Sequence, residues 1–169
     1  MRQVEELLQH GIREVRTVSH LLHPPLLDES GLMSAIRWYA EEFSKRSRIS
    51  VNLELDEERD RLSQEIKTAV FRIIQEALTN VYRHSEAQAV WIDIKCDQTC
   101  LLLRIKDNGR GIPADTLLGT SDGKMGVGLA SMRERSTLLR GSLDIQSNSG
   151  GTTVSVTVPI QSTSNFASA

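Results

Sequence analysis

The chain has 169 residues and a net charge of −2, with 39% hydrophobic and 25% charged residues. These values are typical of one soluble globular domain that is large enough to bury its own core. The sequence has no long basic run, which argues against a nucleic-acid partner. It also has no apolar run near the roughly 20 residues that cross a bilayer, which argues against membrane contact. Only two cysteines occur, Cys96 and Cys100, and no signal-peptide pattern is visible, so we expect reduced thiols and a cytoplasmic location.

The first third of the chain predicts two helices and a strand. Apolar residues recur mostly every three or four positions through residues 1–23, which predicts a helix that ends at Pro24 and Pro25. A second helix is predicted over residues 31–47. Strict alternation of apolar and polar residues over 49–55 then predicts a half-buried strand.

The middle of the chain predicts a long helix followed by a β-hairpin. Ser63 is the predicted N-cap of a helix over residues 64–84. AVWIDIKC, residues 89–96, and CLLLRIKD, residues 100–107, are predicted strands joined by a short polar turn. A further helix is predicted over residues 127–140, before a glycine that favours a helix stop.

The end of the chain predicts a second hairpin and a tail. Strands are predicted over residues 142–147 and 152–160 around the turn NSGG, and the tail 161–169 has a composition that predicts disorder. Mostly antiparallel strands with helices on one face indicate an α+β protein. We therefore predict a two-layer α/β sandwich, with a mixed sheet, that is preceded by the N-terminal helix.

The long helix carries polar residues that could bind a metal ion. Glu76, Asn80 and His84 are spaced by four and Arg83 is adjacent, so these side chains line one edge of the predicted helix. One interpretation is a solvated rim. The other is an oxygen-ligand site, in which a carboxylate and an amide hold Mg²⁺ while the cations contact phosphate.

Two glycine-rich segments allow a second pair of interpretations. DNGRGIP, residues 107–113, has the composition of a surface turn, yet such loops also let a nucleotide approach the backbone. Gly126 and Gly128 open the later helix, where free N–H groups favour an anion. Neither a Walker loop nor the glycine spacing of a dinucleotide-binding fold is present.

Four short patterns in this order resemble the ATP-binding catalytic domain of sensor histidine kinases: N-x-x-x-H, D-x-G-x-G, G-x-G-L and GGT. That domain belongs to the superfamily that includes gyrase, heat-shock chaperone and mismatch-repair ATPases, and it has the Bergerat ATP-binding fold. QEALTNVYRHS looks like the N box, DNGRGI like the first glycine box and MGVGL like the second. The resemblance covers residues 28–160, and it implies ATP and Mg²⁺ as ligands.

The resemblance implies a role for each matching residue. Asn80 would be the Mg²⁺ ligand, and Glu76 the acid that positions Mg²⁺ or its water. Arg83 and His84 match phosphate-contacting side chains, and Asp107 matches the aspartate that accepts a hydrogen bond from the adenine amino group. The other ATP-binding positions that it implies are Gly109 and Gly111 around the base, Ile112, Lys124 at the phosphates, Gly126, Val127, Gly128 and Leu129 at the second glycine box, and Thr153 near the adenine floor. Residues 112–125 would form a mobile lid.

The N-terminal residues resemble one subgroup of these kinases. REVRTVSHLLHPPLLDESGL looks like the second dimerisation helix and its exit in nitrate/nitrite-sensor and DesK-like kinases, which implies that residues 1–27 are part of the dimerisation region. The acceptor histidine of the family precedes an acidic residue, and His10, His20 and His23 do not match that pattern. We therefore expect these three histidines to be structural or surface residues, and the acceptor helix to be absent from this chain.

The resemblance implies a protein histidine kinase. The domain would bind Mg·ATP and donate the γ-phosphoryl group to a histidine of the same kinase or its dimer mate, for onward transfer to a response regulator. The full-length protein is expected to be a homodimer with a membrane anchor in some members, and this chain alone is expected to show little self-phosphorylation. An anti-sigma-factor-type serine kinase, an ATP-driven clamp and a non-catalytic module that binds ATP or a partner remain the alternatives.

Overall fold

The computed structural model describes residues 27, 30–56, 62–113, 116 and 126–160. Within these ranges the chain forms three α-helices, one π-helix and five strands. In chain order they are α1 (Gly31–Ser47), β1 (Ser50–Leu55), α2 (Gln64–Asn80), the π-helix (Val81–Ser85), β2 (Ala89–Cys96), β3 (Cys100–Asp107), α3 (Val127–Leu138), β4 (Ser142–Asn148) and β5 (Gly151–Pro159). Apart from Leu27, the predicted N-terminal helix and dimerisation segment lie outside the described residues, as do most of the predicted lid and the predicted tail.

The five strands form one sheet in the order β1-β2-β3-β5-β4. β1 pairs with β2 in parallel, because α2 lies between them in the chain and returns it to the same end of the sheet. The other neighbours are antiparallel: β2 with β3, β3 with β5, and β4 with β5. The predicted mixed, mostly antiparallel sheet of an α+β sandwich is therefore confirmed.

Alternation along the strands divides the sheet into a helix-facing side and an open side. In β2, Val90, Ile92 and Ile94 are buried against the helices, whereas Trp91 and Lys95 are exposed on the open side. Burying a large aliphatic or aromatic side chain contributes about 1.5–3 kcal/mol each, so this face provides most of the driving force for folding. None of the helices in the described part of the chain combines the length and the apolar character that a membrane span requires.

The α2 helix begins where the sequence predicts but ends earlier. The Ser63 side chain accepts a hydrogen bond from the Ile66 amide at 3.3 Å, which satisfies one of the free N–H groups of the first turn. The predicted α-helix over 64–84 is wrong in its last turn, where residues 81–85 form a π-helix. The Ser85 hydroxyl donates to the Val81 carbonyl at 2.8 Å and accepts from the Ala87 amide, so it satisfies backbone groups around the end of this wider turn.

The first hairpin is closed by the carboxylate of Asp97. Its Oδ1 atom accepts hydrogen bonds from the amides of Thr99 and Cys100 at 2.6 and 2.8 Å. These bonds, together with one from the Thr99 hydroxyl, hold the pKa of the Asp97 carboxyl well below its usual range. Cys96 is buried and Cys100 is half-buried, and neither is in a disulfide with a described residue.

Candidate functional site

A buried carboxylate lies at the end of β3, where the first glycine-rich segment begins. The Asp107 side chain is on the helix-facing side of the sheet, and the residue is only 4% exposed. Its Oδ1 atom accepts a hydrogen bond from the Gly109 amide at 2.8 Å, which turns the chain sharply away from the strand. A carboxylate has about four lone-pair positions, so Oδ2 can still accept from a ligand.

The π-helix and the loop that follows β3 are in close contact. A side chain at Gly109 would place its Cβ 2.3 Å from the Ser85 carbonyl oxygen, so only glycine lets the two backbones approach this closely. The Arg110 amide donates to the same carbonyl at 2.8 Å. The Arg110 side chain donates from Nε to the His84 carbonyl at 2.9 Å and pairs with Glu86 at 3.0 Å. Because this ion pair is mostly exposed, the backbone contacts provide most of the attachment.

The other side of the same loop is attached to the last hairpin. Gly111 has φ +79°, and a Cβ there would lie 2.1 Å from the Asn148 carbonyl oxygen. The Ile112 amide donates to the Ser147 hydroxyl at 2.7 Å. Asn108 anchors the loop to the start of β2, because its Oδ1 atom accepts from the amides of Gln88 and Ala89, each at 3.0 Å. The loop over residues 107–112 is therefore attached to three neighbouring segments.

A second polar cluster forms where α3 begins against α2. A Cβ at Gly128 would lie 2.1 Å from Glu76 Oε1 and 3.2 Å from Asn80 Nδ2, so the polar ends of both side chains meet over this glycine. Asn80 Nδ2 is buried and has no hydrogen-bond partner among the described residues. A buried N–H donor that lacks a partner costs free energy, which an acceptor oxygen of a ligand would offset.

The donor set of this cluster suits a hard cation. Mg²⁺ takes oxygen ligands and usually keeps waters or phosphate oxygens in its remaining positions. The Glu76 carboxylate and the side-chain oxygen of Asn80 are ligands of that kind, whereas the Asn80 atom that faces Gly128 is Nδ2, a hydrogen-bond donor. No group of three or more His, Cys, Asp or Glu side chains suited to a metal occurs in the described ranges. Glu76 and Asn80 therefore fit an ion that is shared with a phosphate group better than one held by protein alone.

The α1 helix packs against α2 through Tyr39, which lies near the charge of Glu76. Tyr39 on α1 is buried and packs edge-to-face on Phe71 of α2, with ring centroids 5.6 Å apart. Burial raises the pKa of the Tyr39 phenol, and the negative charge of nearby Glu76 adds to the rise. The phenol also hydrogen-bonds the Thr79 side chain, so α1 contacts the helix face beside the candidate metal ligands.

The other described residues that were predicted to contact ATP include two on the π-helix and three around the start of α3. Arg83 and His84 are exposed on the π-helix, so the α-helical spacing on which the predicted row of Glu76, Asn80 and His84 depends does not continue beyond Asn80. Lys124 lies outside the described residues. In the second glycine box, Gly126 is exposed, Val127 is 85% exposed and Leu129 is buried in the core.

Thr153 lies on the open side of the sheet, and its neighbour Thr152 lies on the side of Asp107. Thr153 is opposite Lys106 and Gln146 in the strand register. Thr152 is buried, and its hydroxyl is 2.9 Å from that of Ser147. A Cβ on the preceding Gly151 would lie 2.0 Å from the Asp107 carbonyl oxygen, which shows how closely β5 approaches β3 here.

The sequence did not lead us to the residues that hold the loop over residues 107–112, although the position of one of them, Thr152, could have been predicted. The period-two pattern that buries Val154, Val156 and Val158 also puts Thr152 on the helix-facing side. Ser85 and Ser147 gave no such signal, because their contacts join segments that are far apart in the sequence.

Comparison with known proteins places this geometry in a family. The histidine kinase-, DNA gyrase B-, and HSP90-like ATPase family matches residues 65–162. The chain is 34% identical over 154 residues to the sensor histidine kinase MctS of Rhizobium johnstonii, covering 91% of this chain and 33% of that protein. It is 33% identical over 161 residues to the oxygen sensor histidine kinase NreB of Staphylococcus carnosus, covering 94% and 45%. The chain thus spans less than half the length of these curated relatives.

A solved structure has the same fold. The blue-light activated histidine kinase of Erythrobacter litoralis EL346 superposes with a TM-score of 0.68 at 20% identity, covering 90% of this chain and 49% of that one. Its isolated histidine kinase domain gives a TM-score of 0.66 at 21% identity, covering 76% and 61%. At these identities the likeness concerns the fold.

Proposed function

Because the chain belongs to the family of histidine kinase-, DNA gyrase B-, and HSP90-like ATPases, we propose that it binds Mg·ATP and donates the γ-phosphoryl group to a histidine of a two-component sensor kinase. One observation carries the proposal. The buried Asp107 carboxylate lies beside the first glycine box, and Asn80, whose Nδ2 atom is buried, lies beside the second, which supports their roles as the adenine-recognition group and the metal ligand. The curated relatives quoted above are named sensor histidine kinases, which supports this reaction over the other ATPases of the family.

The Asp107 loop is the proposed adenine end of the pocket. The adenine 6-amino group is a hydrogen-bond donor, and a buried carboxylate is a strong acceptor for it. Gly109 and Gly111 let the loop pass close to the π-helix and the last hairpin, so that the backbone can curve around the base. Since Thr153 lies on the open side of the sheet, we place the threonine of the adenine floor at Thr152.

Glu76 and Asn80 are the proposed Mg²⁺ end of the pocket. Asn80 would bind the ion through its side-chain oxygen, and Glu76 would hold it directly or through a bound water. When bound, Mg²⁺ neutralises charge on the β- and γ-phosphate oxygens. The start of α3 adds backbone N–H groups and a helix dipole, which favour the phosphates. Arg83, His84 and Lys124 remain proposed phosphate contacts.

The proposed reaction transfers a phosphoryl group from oxygen to nitrogen. The bond between the γ-phosphorus and the β,γ-bridging oxygen breaks and leaves ADP, while the unprotonated imidazole nitrogen of the acceptor histidine uses its lone pair to form a bond to phosphorus. The other ring nitrogen then gives up its proton to solvent. The protein positions the two reactants and stabilises charge, as in phosphoryl transfer generally. We place the acceptor histidine on another segment of the kinase or on its dimer mate, with a response regulator as the next acceptor in the cytoplasm.

The test uses a preparation that contains this domain together with its acceptor segment. With Mg²⁺ and γ-labelled ATP, we expect a label that is lost in acid and stable in alkali, as for phosphohistidine. Asn80→Ala should remove the label, whereas Asn52→Ala on the open side of the sheet should leave it unchanged. An acid-stable label on serine would support the serine-kinase alternative. Nucleotide binding without any label would support a non-catalytic module.

A further inference from the structure

The loop over residues 107–112 is attached on two opposite sides by two serines that use different groups. On the π-helix side, the Ser85 main-chain carbonyl accepts from the Arg110 amide at 2.8 Å. On the hairpin side, the Ser147 side-chain hydroxyl accepts from the Ile112 amide at 2.7 Å. Only the second attachment depends on a side chain, so a substitution can remove it without changing the backbone.

The Ser147 hydroxyl is well placed for this contact. Ser147 is on the helix-facing side of β4, where the residue is part-buried. The hydroxyl oxygen also lies 2.9 Å from the Thr152 hydroxyl and 3.4 Å from the Gly151 carbonyl oxygen. A hydroxyl has one donor and two acceptor positions. It can therefore accept from Ile112 and Thr152 while donating to Gly151, which fixes its orientation.

The same serine limits where Gly111 can lie. Gly111 has φ +79°, and a Cβ there would lie 2.9 Å from the Ser147 hydroxyl oxygen. The loop thus passes in contact with β4 at the point where it turns from Asp107 towards Ile112. Without the hydroxyl, the Ile112 amide loses its acceptor, and this part of the loop gains conformational freedom that binding must then remove.

We propose that Ser147 is a positioning residue for nucleotide binding, which acts through the Ile112 amide by fixing the loop that follows Asp107. This inference rests on the proposed function, because it assumes that the loop binds adenine. It assigns a role to β4, a strand that contains none of the predicted ATP-binding residues. Thr152 takes part in the same arrangement, since its hydroxyl contacts that of Ser147.

The experiment compares Ser147→Ala with Ser142→Ala in this chain. Both serines are on β4, but Ser142 is exposed on the open side of the sheet. Calorimetry gives the Kd for Mg·ADP, and NMR hydrogen exchange gives the protection of each loop amide. Arg110 is an internal reference, because its amide donates to a main-chain carbonyl that neither substitution alters. Thermal unfolding shows whether each variant remains folded.

Ser147→Ala is expected to speed exchange of the Ile112 amide while leaving that of Arg110 unchanged, and to raise the Kd for Mg·ADP about 3- to 10-fold. Ser142→Ala should match the wild type in both measurements. An unchanged Kd in Ser147→Ala would overturn the inference, and so would unchanged protection of Ile112. Failure of the wild type itself to bind Mg·ADP would instead contradict the proposed function, so the two failures are distinguishable.

Discussion

At the scale of single residues, Asp107 is the side chain whose charge matters most for the proposed ligand. Asp107→Asn keeps an oxygen that can accept from the Gly109 amide, so the fold should persist. It removes the charged acceptor for the adenine amino group, and losing a hydrogen bond to a charged group costs about 1.5–3 kcal/mol. We therefore expect Mg·ADP to bind about 10- to 100-fold more weakly in calorimetry.

Asp93→Asn is the matched control for this prediction. Asp93 is on β2 and pairs across the sheet with Arg104 on the open side, away from the glycine loops. The affinity of the Asp93→Asn variant for Mg·ADP should equal that of the wild type. Equal affinity in Asp107→Asn would contradict the adenine assignment.

Ser136, unlike Asp107, has a polar group whose removal should not lower the stability of the protein. Its hydroxyl is buried in α3, with the residue 1% exposed, and has no hydrogen-bond partner among the described residues. Ser136→Ala removes a desolvated group and adds helix propensity, so we expect stability to stay the same or rise by up to about 1 kcal/mol. Urea unfolding measures the change. The neighbouring Thr137→Ala, which removes a hydroxyl bonded to the Arg133 carbonyl at 2.9 Å, is the comparison. A loss of stability in Ser136→Ala would show that its hydroxyl is hydrogen-bonded in solution.

At the scale of elements, the contact between the start of α3 and the end of α2 defines the proposed Mg²⁺ end. In Gly128→Ala the new methyl group would meet Glu76 Oε1 at 2.1 Å. Because this oxygen is at the end of a flexible side chain, we expect the carboxylate to move while the helices stay in place. Displacing a group that positions a metal typically weakens binding about 10-fold or more. The affinity for ADP in the presence of Mg²⁺ should fall accordingly, with unfolding little changed.

Gly126→Ala is a close control for this substitution. A Cβ at Gly126 meets no atom of the described residues within 4 Å, and the Gly126 φ of −48° suits any residue. Mg·ADP affinity should fall much less in Gly126→Ala than in Gly128→Ala, because only the latter displaces the Glu76 carboxylate. Equal losses in the two variants would show that glycine flexibility, rather than the Glu76 contact, matters here.

At the scale of the whole molecule, local patterns predicted most elements but not how they are arranged. The bounds of α1, β2 and β3 agree with the prediction, because side-chain burial in each follows directly from its own periodicity. The insertion of β5 between β3 and β4 depends on long-range pairing that no local pattern contains. The π-helix likewise depends on Ser85, whose backbone packs against Gly109 of a distant loop.

The candidate site likewise has features that the sequence predicted and features that it did not. The residue types of Glu76, Asn80 and Asp107, with the glycine spacings, were sufficient to predict a nucleotide pocket by resemblance. The choice between Thr152 and Thr153 required the sheet register, and the approach of Gly128 to Glu76 and Asn80 required the packing of α3 on α2. The predicted roles concern residues that are expected to contact a ligand, whereas Ser85 and Ser147 hold the loop from other elements and Asn108 anchors it from within.

Because the proposed pocket joins α2, β3 and α3, nucleotide binding should stabilise the entire domain. A ligand at 100 times its Kd stabilises the folded state by about 2.7 kcal/mol. For a domain of this size that corresponds to a rise in Tm of roughly 5–10 °C. Thermal unfolding with Mg·ADP measures this rise, and EDTA should reduce it if Glu76 and Asn80 bind the ion.

GDP is the matched control, because guanine presents a carbonyl oxygen where adenine has its amino group. That oxygen would face the Asp107 carboxylate without a proton between them, so GDP should raise Tm far less. Equal shifts with ADP and GDP would place the base away from Asp107.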